Sequence, residues 1–318
     1  MKAIVGTRRE RQNVPAAPAG LARRSRERVN ALILITPFFL LLFAFTIYPA
    51  ARALLDSFKN VSALNPSSST WVGLAQYTAV LHDGSFRHAV GNNFVLMAVS
   101  VPIQSFLALI LASALNSRIR AQGFFRAVYF LPYITAPVAI GAVMVFLFGP
   151  NGALTRFLHA VLATPNTAWY ASENLAFWLV VGVMIWTEIG FFTVIYLAGL
   201  QSISKDVYEA AALDGAGPWT TLWKITIPLV RPTTALVILM GIIVSLQTFE
   251  QPYVLSTTGG ALPGSPSDST LTMVMYLYAQ AFRYQNLGQA SAAAFLIMIV
   301  ILTFSAIMAI AQRRGARA

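Results

Sequence analysis

One acidic residue stands in the middle of a long apolar run: Glu188, within residues 176–200. An ionisable group at that depth in hydrocarbon costs at least about 2.5 kcal/mol on insertion scales, so it has to face a polar cavity or a partner helix. Met184, Thr187, Glu188 and Phe191 share one helical face, and Gly241, Val244, Ser245 and Thr248 repeat the spacing in another apolar run. Hydroxyl, carboxyl and aromatic groups brought together in this way can bind a hydroxylated solute, with hydrogen bonds at its edges and an apolar platform beneath it. The same residues also suit helix packing: Gly241 and Ser245 allow close approach, and Glu188 can anchor an interhelical hydrogen bond. Gln247 and Glu250 extend the polar character at the outer end of the second run.

Bond-making chemistry has no comparable foothold. The sequence holds no GxxxxGK[ST] phosphate loop, no GxGxxG, no HExxH and no GxSxG. It has 0 cysteines, which excludes disulfides, a thiol nucleophile and cysteine-ligated zinc or iron–sulfur centres. Its 3 histidines, His82, His88 and His159, stand at no helical metal-ligand spacing. The chain is therefore not expected to hydrolyse ATP, to hold a metal or to be an intramembrane enzyme.

A polar segment, QSISKDVYEAAALDGAGPWTTLWKITIPLVR over 201–231, carries the other informative pattern. Ser204 can cap a helix over Lys205–Leu213, Gly215 suits the left-handed residue that ends it, and Pro218 suits the first turn of the next helix. The result is two short helices meeting at a tight elbow. Ala210, Ala211 and Ala212 would let a partner approach closely, with Tyr208 and Leu213 as anchors. A preformed docking elbow on a chain without a nucleotide site is expected to receive mechanical input from another subunit; a helix pair lying on lipid headgroups is the alternative.

These features are held by a chain that is 57% hydrophobic and 10% charged, far from the roughly 25% charge of a soluble domain. Six apolar runs approach the ~20 residues that cross a bilayer: 31–51, 94–115, 127–148, 176–200, 233–249 and 291–311. Backbone groups in hydrocarbon need partners within the segment, so each run is helical and the chain is an all-α membrane protein. Pro132 and Pro137 fall in the third run, where neighbouring helices can satisfy the carbonyls they free. Basic residues in 1–30, 116–126, 201–232 and 312–318 outnumber those in 52–93, 149–175 and 250–290 by 17 to 5. That asymmetry puts both termini in the cytoplasm, and it accounts for the net charge of +11 without nucleic acid. Residues 1–30 form a basic, Ala/Pro/Arg-rich segment, expected to be disordered to about residue 28. The spans fill 31–311, a cytoplasmic tail follows at 312–318, and the first run is expected to be retained rather than cleaved as a signal peptide.

The elbow resembles the signature of the permease subunits of binding-protein-dependent ABC importers: EAA, three residues, G, nine residues, then I-x-L-P. Here it reads Glu209-Ala210-Ala211, Gly215, Ile225, Ile227 and Pro228, with Ile227 in place of the Leu. WVGLAQYTAVL from Trp71, FFRAVYFLPYITAPVAIGAVMVFLF from Phe124, LAGLQSISKDVYEAAALDGAGPW from Leu197 and LQTFEQPYVLSTTGG from Leu246 are similar to carbohydrate-uptake permeases. That branch includes maltose, trehalose and glycerol-3-phosphate systems, and the likeness is to the first of their two dissimilar permeases, over 35–311.

The resemblance implies a type I ABC importer permease fold working by alternating access in a bacterial-type cell (inner) membrane. Its implied partners are a second dissimilar permease, two ATPase subunits, an extracytoplasmic substrate-binding protein and a carbohydrate. ATP and Mg would reside on the ATPase subunits, leaving no cofactor on this chain. Glu209, Ala210, Ala211, Asp214, Gly215, Ala216 and Gly217 would form the ATPase-coupling element, and Thr187, Glu188, Phe191, Gly241, Val244, Ser245 and Thr248 the substrate contacts. The fifth run lacks the asparagines common in the maltose system. Import of glycerol 3-phosphate or glycerophosphodiesters is the alternative within the family, and a stand-alone secondary transporter or channel the alternative outside it. The segment 256–284, with Leu271, Val274, Met275 and Tyr278 at helical spacing, resembles the outer loop and helix that meet the binding protein.

Overall fold

The computed structural model describes residues 20–64, 69–116, 122–164 and 166–315. It comprises two units, Met1–Arg52 and Ala53–Ala318. In the first, α1 (Gly20–Leu42) continues through a π turn at Phe43–Ile47 into α2 (Tyr48–Asp56), whose residues from Ala53 on belong to the second unit. The wide turn precedes Pro49, which offers no N–H to the carbonyl four residues back and crowds it with its ring. Leu32–Asp56 is long and apolar enough to span a membrane. The described helix begins at Gly20; residues 1–19, in which disorder was expected, and 316–318 lie outside the described residues.

In the second unit, β1 (Lys59–Asn60) and β2 (Thr70–Trp71) pair antiparallel ahead of α3 (Ala75–His82). There follow α4 (Gly84–Asn116), α5 (Gln122–Ile134), α6 (Pro137–Leu147), α7 (Ala153–Leu162), α8 (Glu173–Gln201), α9 (Lys205–Leu213) and α10 (Pro218–Thr221). The chain closes with α11 (Ile227–Leu229), α12 (Arg231–Leu246), α13 (Glu250–Ser256), α14 (Met273–Tyr278) and α15 (Leu287–Gly315). α4, α8, Arg231–Ser256 and Leu287–Ile310 are each long and apolar enough to cross a membrane, and α5 and α6, bent by 95° at a short break, pass the same test together as the third span.

Two spans are not the continuous helices expected. The third breaks at Thr135 and Ala136, because Pro137 disfavours helical geometry in the residue before it, and Ala136 is extended at φ −53°, ψ 126°. Pro137 then opens α6 at its first position, where a missing N–H costs nothing, whereas Pro132 stays inside α5. The fifth span does not end at Phe249. Its helix stops at Leu246, turns through 247–249 and resumes as α13, so Gln247 and Glu250 lie within the span and not at its outer margin.

Buried side chains form three clusters along α4. Near its start, Phe86, Ala89 and Val101 meet Leu246 of α12, Met273 and Met275 of α14 and Ala292 and Ala293 of α15. Leu96 packs with Ile140 and Met144 of α6 and with Val180 and Met184 of α8. At the far end, Ala108, Ala112 and Leu115 meet Phe192, Tyr196 and Leu200 of α8 and Val230 and Val237. Of the four apolar residues singled out around α14, Leu271 and Met275 are buried, while Val274 and Tyr278 are partly exposed.

In lipid, close packing and internal hydrogen bonds hold helices together. A Cβ on Gly190 would lie 2.1 Å from the Tyr129 carbonyl oxygen, so α8 and α5 touch backbone to backbone. Ser105 and Tyr196 hydroxyls bond at 2.7 Å between α4 and α8. Asn93, fully buried, donates to the Ser245 carbonyl at 2.8 Å and accepts from the Met273 N–H at 2.8 Å, pinning α12 and α14 to α4. Tyr276 donates to Asp83 at 2.8 Å; burial, and then that carboxylate, raise its phenol above the usual range and keep it a donor.

Gly190→Ala should lower the thermal midpoint of the purified protein in detergent, since overpacking against a rigid carbonyl costs roughly 1–3 kcal/mol. Gly182, with nothing within 4 Å of its would-be Cβ, is the control: Gly182→Ala should leave the midpoint unchanged or raise it. Equal midpoints for the two variants would contradict the α5–α8 contact.

Candidate functional site

The two helix breaks open onto one cavity. It has a volume of about 490 Å³ and is lined from α5 and α6 by Pro132, Tyr133, Thr135, Pro137 and Ile140, and from α8 by Met184, Thr187 and Glu188. Val244, Gln247, Thr248, Phe249, Glu250 and Gln251 complete the lining from the α12–α13 break. Non-helical backbone at membrane depth is tolerated where it lines a polar space, and this arrangement meets that condition. The breaks also deliver polar side chains where a continuous apolar helix would present none.

Four of the seven residues expected at a solute path line the cavity: Thr187, Glu188, Val244 and Thr248. Glu188 is half-buried, and Thr187 is buried with its hydroxyl donating back to the Met184 carbonyl at 3.1 Å. Thr248 contributes its side chain to the lining while its carbonyl accepts from the Thr272 hydroxyl at 2.9 Å. Phe191 stands behind the wall, stacked on Tyr133 with ring centroids 4.7 Å apart and planes 11° from parallel. It fixes the aromatic ring that does reach the cavity. Gly241 and Ser245 face α4: a Cβ on Gly241 would come within 3.1 Å of the Gln104 amide nitrogen, and the Ser245 hydroxyl donates to the Gly241 carbonyl at 2.7 Å. Of their two readings, helix packing is the one this geometry displays.

Tyr133, Thr135 and Gln251 belong to the lining without having been singled out in the sequence. Their signal was the Pro-Tyr-Ile-Thr-Ala-Pro run at 132–137 and the polar group 247–251, each an interruption inside an apolar stretch. The lining offers hydroxyls, amides and carboxyls beside Tyr133 and Phe249, the makings of a site for a hydroxylated solute. Among the described residues no three His, Asp or Glu side chains gather as a metal site.

The elbow takes the form its sequence dictates. Ser204 caps α9, its hydroxyl accepting from the Asp206 N–H at 3.3 Å. At the other end Gly215 has φ +76°, the Gly215 N–H bonds the Ala212 carbonyl at 3.1 Å and the Ala216 N–H bonds the Ala211 carbonyl at 2.9 Å. These are the paired bonds of a Schellman close, which requires a left-handed residue at that point. Gly217 precedes Pro218, the first residue of α10. Glu209, Ala210, Ala212 and Asp214 are exposed, as are Leu213 at 90% and Trp219 at 68%. Ala211, expected on the exposed face, is instead buried.

The elbow is joined to the cavity through two helices. α8 ends at its start, with Leu200 buried, and α12 begins beyond it, with Val230 buried in the same cluster and Ile227 packed against it. Those helices carry Thr187 and Glu188, and Val244 and Thr248, to the cavity at their other stretches.

A family described as "Binding-protein-dependent transport system inner membrane component" matches residues 72–317. Among curated proteins, the chain is similar to the sn-glycerol-3-phosphate transport system permease protein UgpA of Agrobacterium fabrum, 30% identical over 282 residues, 88% of this chain and 93% of that one. It is similar also to the lactose transport system permease protein LacF of Rhizobium radiobacter, 30% identical over 246 residues, 77% of this chain and 80% of that one. A solved chain from a bacterial ABC transporter involved in import of the acidic polysaccharide alginate superposes with a TM-score of 0.78 at 19% identity, over 92% of this chain and 98% of its own length. That likeness is of fold, and it is the importer-permease fold the sequence led us to expect. With the family matched over most of its length, six spans and an EAA elbow in place, the chain belongs to the inner membrane components of binding-protein-dependent transport systems.

Proposed function

We propose that the chain is one of two dissimilar permease subunits of an ATP-driven importer of carbohydrates, sitting in a bacterial cell membrane with both termini in the cytoplasm. The observation that carries this reading is the cavity at two helix breaks, bordered by the two helices that the elbow joins at their far ends. A pair of ATPase subunits, holding ATP and Mg, would grip the elbow at Glu209 and Gly215. Their closure tilts α8 and α12 and opens the cavity outward; hydrolysis returns it inward. Ligand energy on the ATPases biases one arrangement over the other, as coupling requires. A binding protein delivers solute outside, and the second permease lines the rest of the path.

The names of the relatives support solutes built on hydroxylated carbon skeletons. The relative named for sn-glycerol-3-phosphate favours a second reading, import of a glycerophosphate or its diesters.

The test is uptake by the assembled complex in proteoliposomes. ATP-dependent accumulation that needs the binding protein is expected; accumulation by this chain reconstituted alone would overturn the reading. Gly215 gives a finer test. A side chain there meets nothing within 4 Å, so the penalty is backbone strain of roughly 1–2 kcal/mol for a residue forced left-handed. Gly215→Val should assemble yet hydrolyse ATP with uptake reduced about tenfold or more, while Gly215→Asn, which tolerates the conformation, should keep most transport. Wild-type uptake by the valine variant would remove the elbow from the mechanism.

A further inference from the structure

Between the third and fourth spans stands a helix that serves neither the cavity nor the elbow. α7 reads ALTRFLHAVL, and its side chains sort by direction. Going round the helix, exposed Phe157 and Val161 are followed by half-buried Leu154 and Leu158, then buried Thr155, then exposed His159 and Arg156. At about 100° per residue, the exposed apolar flank and the exposed polar flank lie roughly 150° apart, with the protein-facing side between them. Phe157 and Val161 are 60% and 61% exposed. The polar side chains stay along their own helix: Arg156 Nη2 donates to the Asn151 carbonyl at 2.9 Å, and His159 Nδ1 lies 2.6 Å from the Thr164 carbonyl. Most N–H donors of the guanidinium remain for a further acceptor.

The neighbouring elements say what surrounds this helix. α6, just before it, exposes Val138, Ala139, Ala142, Val143 and Phe146, an apolar face without a polar group, as acyl chains require. A short turn later the polar flank of α7 appears. α8 follows with Trp178 half exposed in its first two turns, and tryptophan in that position marks the headgroup level. The 95° bend keeps α5 and α6 from both following the bilayer normal, and α6 carries the chain about 15 Å from Pro137 at the cavity toward α7. Water around α7 would leave Phe157 and Val161 wet, and a dry protein contact over both flanks would bury the Arg156 charge at a cost. A lipid boundary suits both flanks at once, with hydrocarbon on one and phosphates on the other.

We infer that α7 lies in the lipid interface on the side of the membrane opposite the elbow, with Phe157 and Val161 among acyl chains and Arg156 at headgroup phosphates. It moors the far end of α6, the helix whose first residue borders the cavity. The inference depends neither on which solute is carried nor on which subunits drive transport.

The chain holds 0 cysteines, so Arg156→Cys, Phe157→Cys, His159→Cys and Val161→Cys can each carry a single nitroxide. The labelled chain is assembled with cysteine-free partner subunits, checked by size exclusion and placed in nanodiscs of phosphatidylethanolamine and phosphatidylglycerol. Power-saturation EPR then compares collisions with oxygen, which concentrates in the bilayer, and with a nickel chelate, which stays in water. The oxygen-to-nickel ratio should be roughly tenfold higher at 157 and 161 than at 156 and 159. Equal ratios at all four positions would overturn the inference by placing α7 in water. So would low collision rates with both reagents at 157 and 161, which would mean that another protein covers the face. Arg156→Glu combined with Val161→Cys should lower the ratio at 161 at least about twofold, whereas Arg156→Lys should keep it. An unchanged ratio in the glutamate variant would remove the headgroup contact.

Discussion

The backbone's need for hydrogen bonds in a medium that offers none governs this molecule. A helix satisfies that need within itself, and every departure from helix at membrane depth leaves donors and acceptors without partners. Such departures are therefore confined to places where protein or water can serve them. Among the described residues there are two, at Thr135–Ala136 in the third span and at 247–249 in the fifth, and both open on the same cavity. The polar lining and the broken helices have a common cause: the breaks require a polar space, and the space exists because the breaks supply its walls.

The surrounding packing leaves little freedom for those breaks to drift. Gly190 lets α8 lie against the Tyr129 carbonyl, and the Tyr133–Phe191 stack follows within the same contact, so α5 is fixed up to the residue before its interruption. On the opposite wall, the Thr248 carbonyl is taken by Thr272 and the Ser245 carbonyl by Asn93. Asn93 also receives the Met273 N–H. Its one amide therefore joins α4, α12 and the turn into α14. Buried hydrogen bonds of this kind cost more to leave unmade than they contribute when made, which makes them effective at selecting one arrangement.

Much of this was legible in the sequence, and what was legible was local. The elbow was readable almost in full because Ser204, Gly215 and Pro218 each act on backbone within a few residues of themselves. The six spans were readable because hydropathy needs no knowledge of neighbours. The breaks were not. Pro137 is compatible with a kink or an interruption, and which one forms depends on what lies beside it. The polar group at 247–251 looked like the end of a span because the apolar segment that resumes after it is short. The two candidate faces show the same limit more sharply. Gly241, Val244, Ser245 and Thr248 share a stripe, yet residues three apart on a helix differ by about 60° in direction. That offset is enough to turn Gly241 and Ser245 to α4 and leave Val244 to the cavity, while Thr248 reaches the cavity from the turn beyond the end of α12. Periodicity identifies a face; only the neighbouring helices decide how it is divided.

The division has a consequence for how work could reach the cavity. On α12 the cavity-lining Val244 sits beside Ser245, whose hydroxyl meets that of Ser100 on α4 at 3.5 Å. A helix does not stretch appreciably, so a displacement applied at the elbow end must appear further along as tilt or rotation of the whole element. At the elbow end the contacts with α4 are chiefly apolar, through Ala108, Ala112 and Leu115, with the Ser105–Tyr196 bond further along. Toward α14 the Asn93 amide ties α12 to α4, and the Thr272 hydroxyl holds the turn that follows α12. Apolar surfaces slide past one another with little loss, whereas a directional bond resists until it breaks. In the proposed mechanism the lever would act on the end held chiefly by apolar packing, with the hydrogen-bonded end as the pivot.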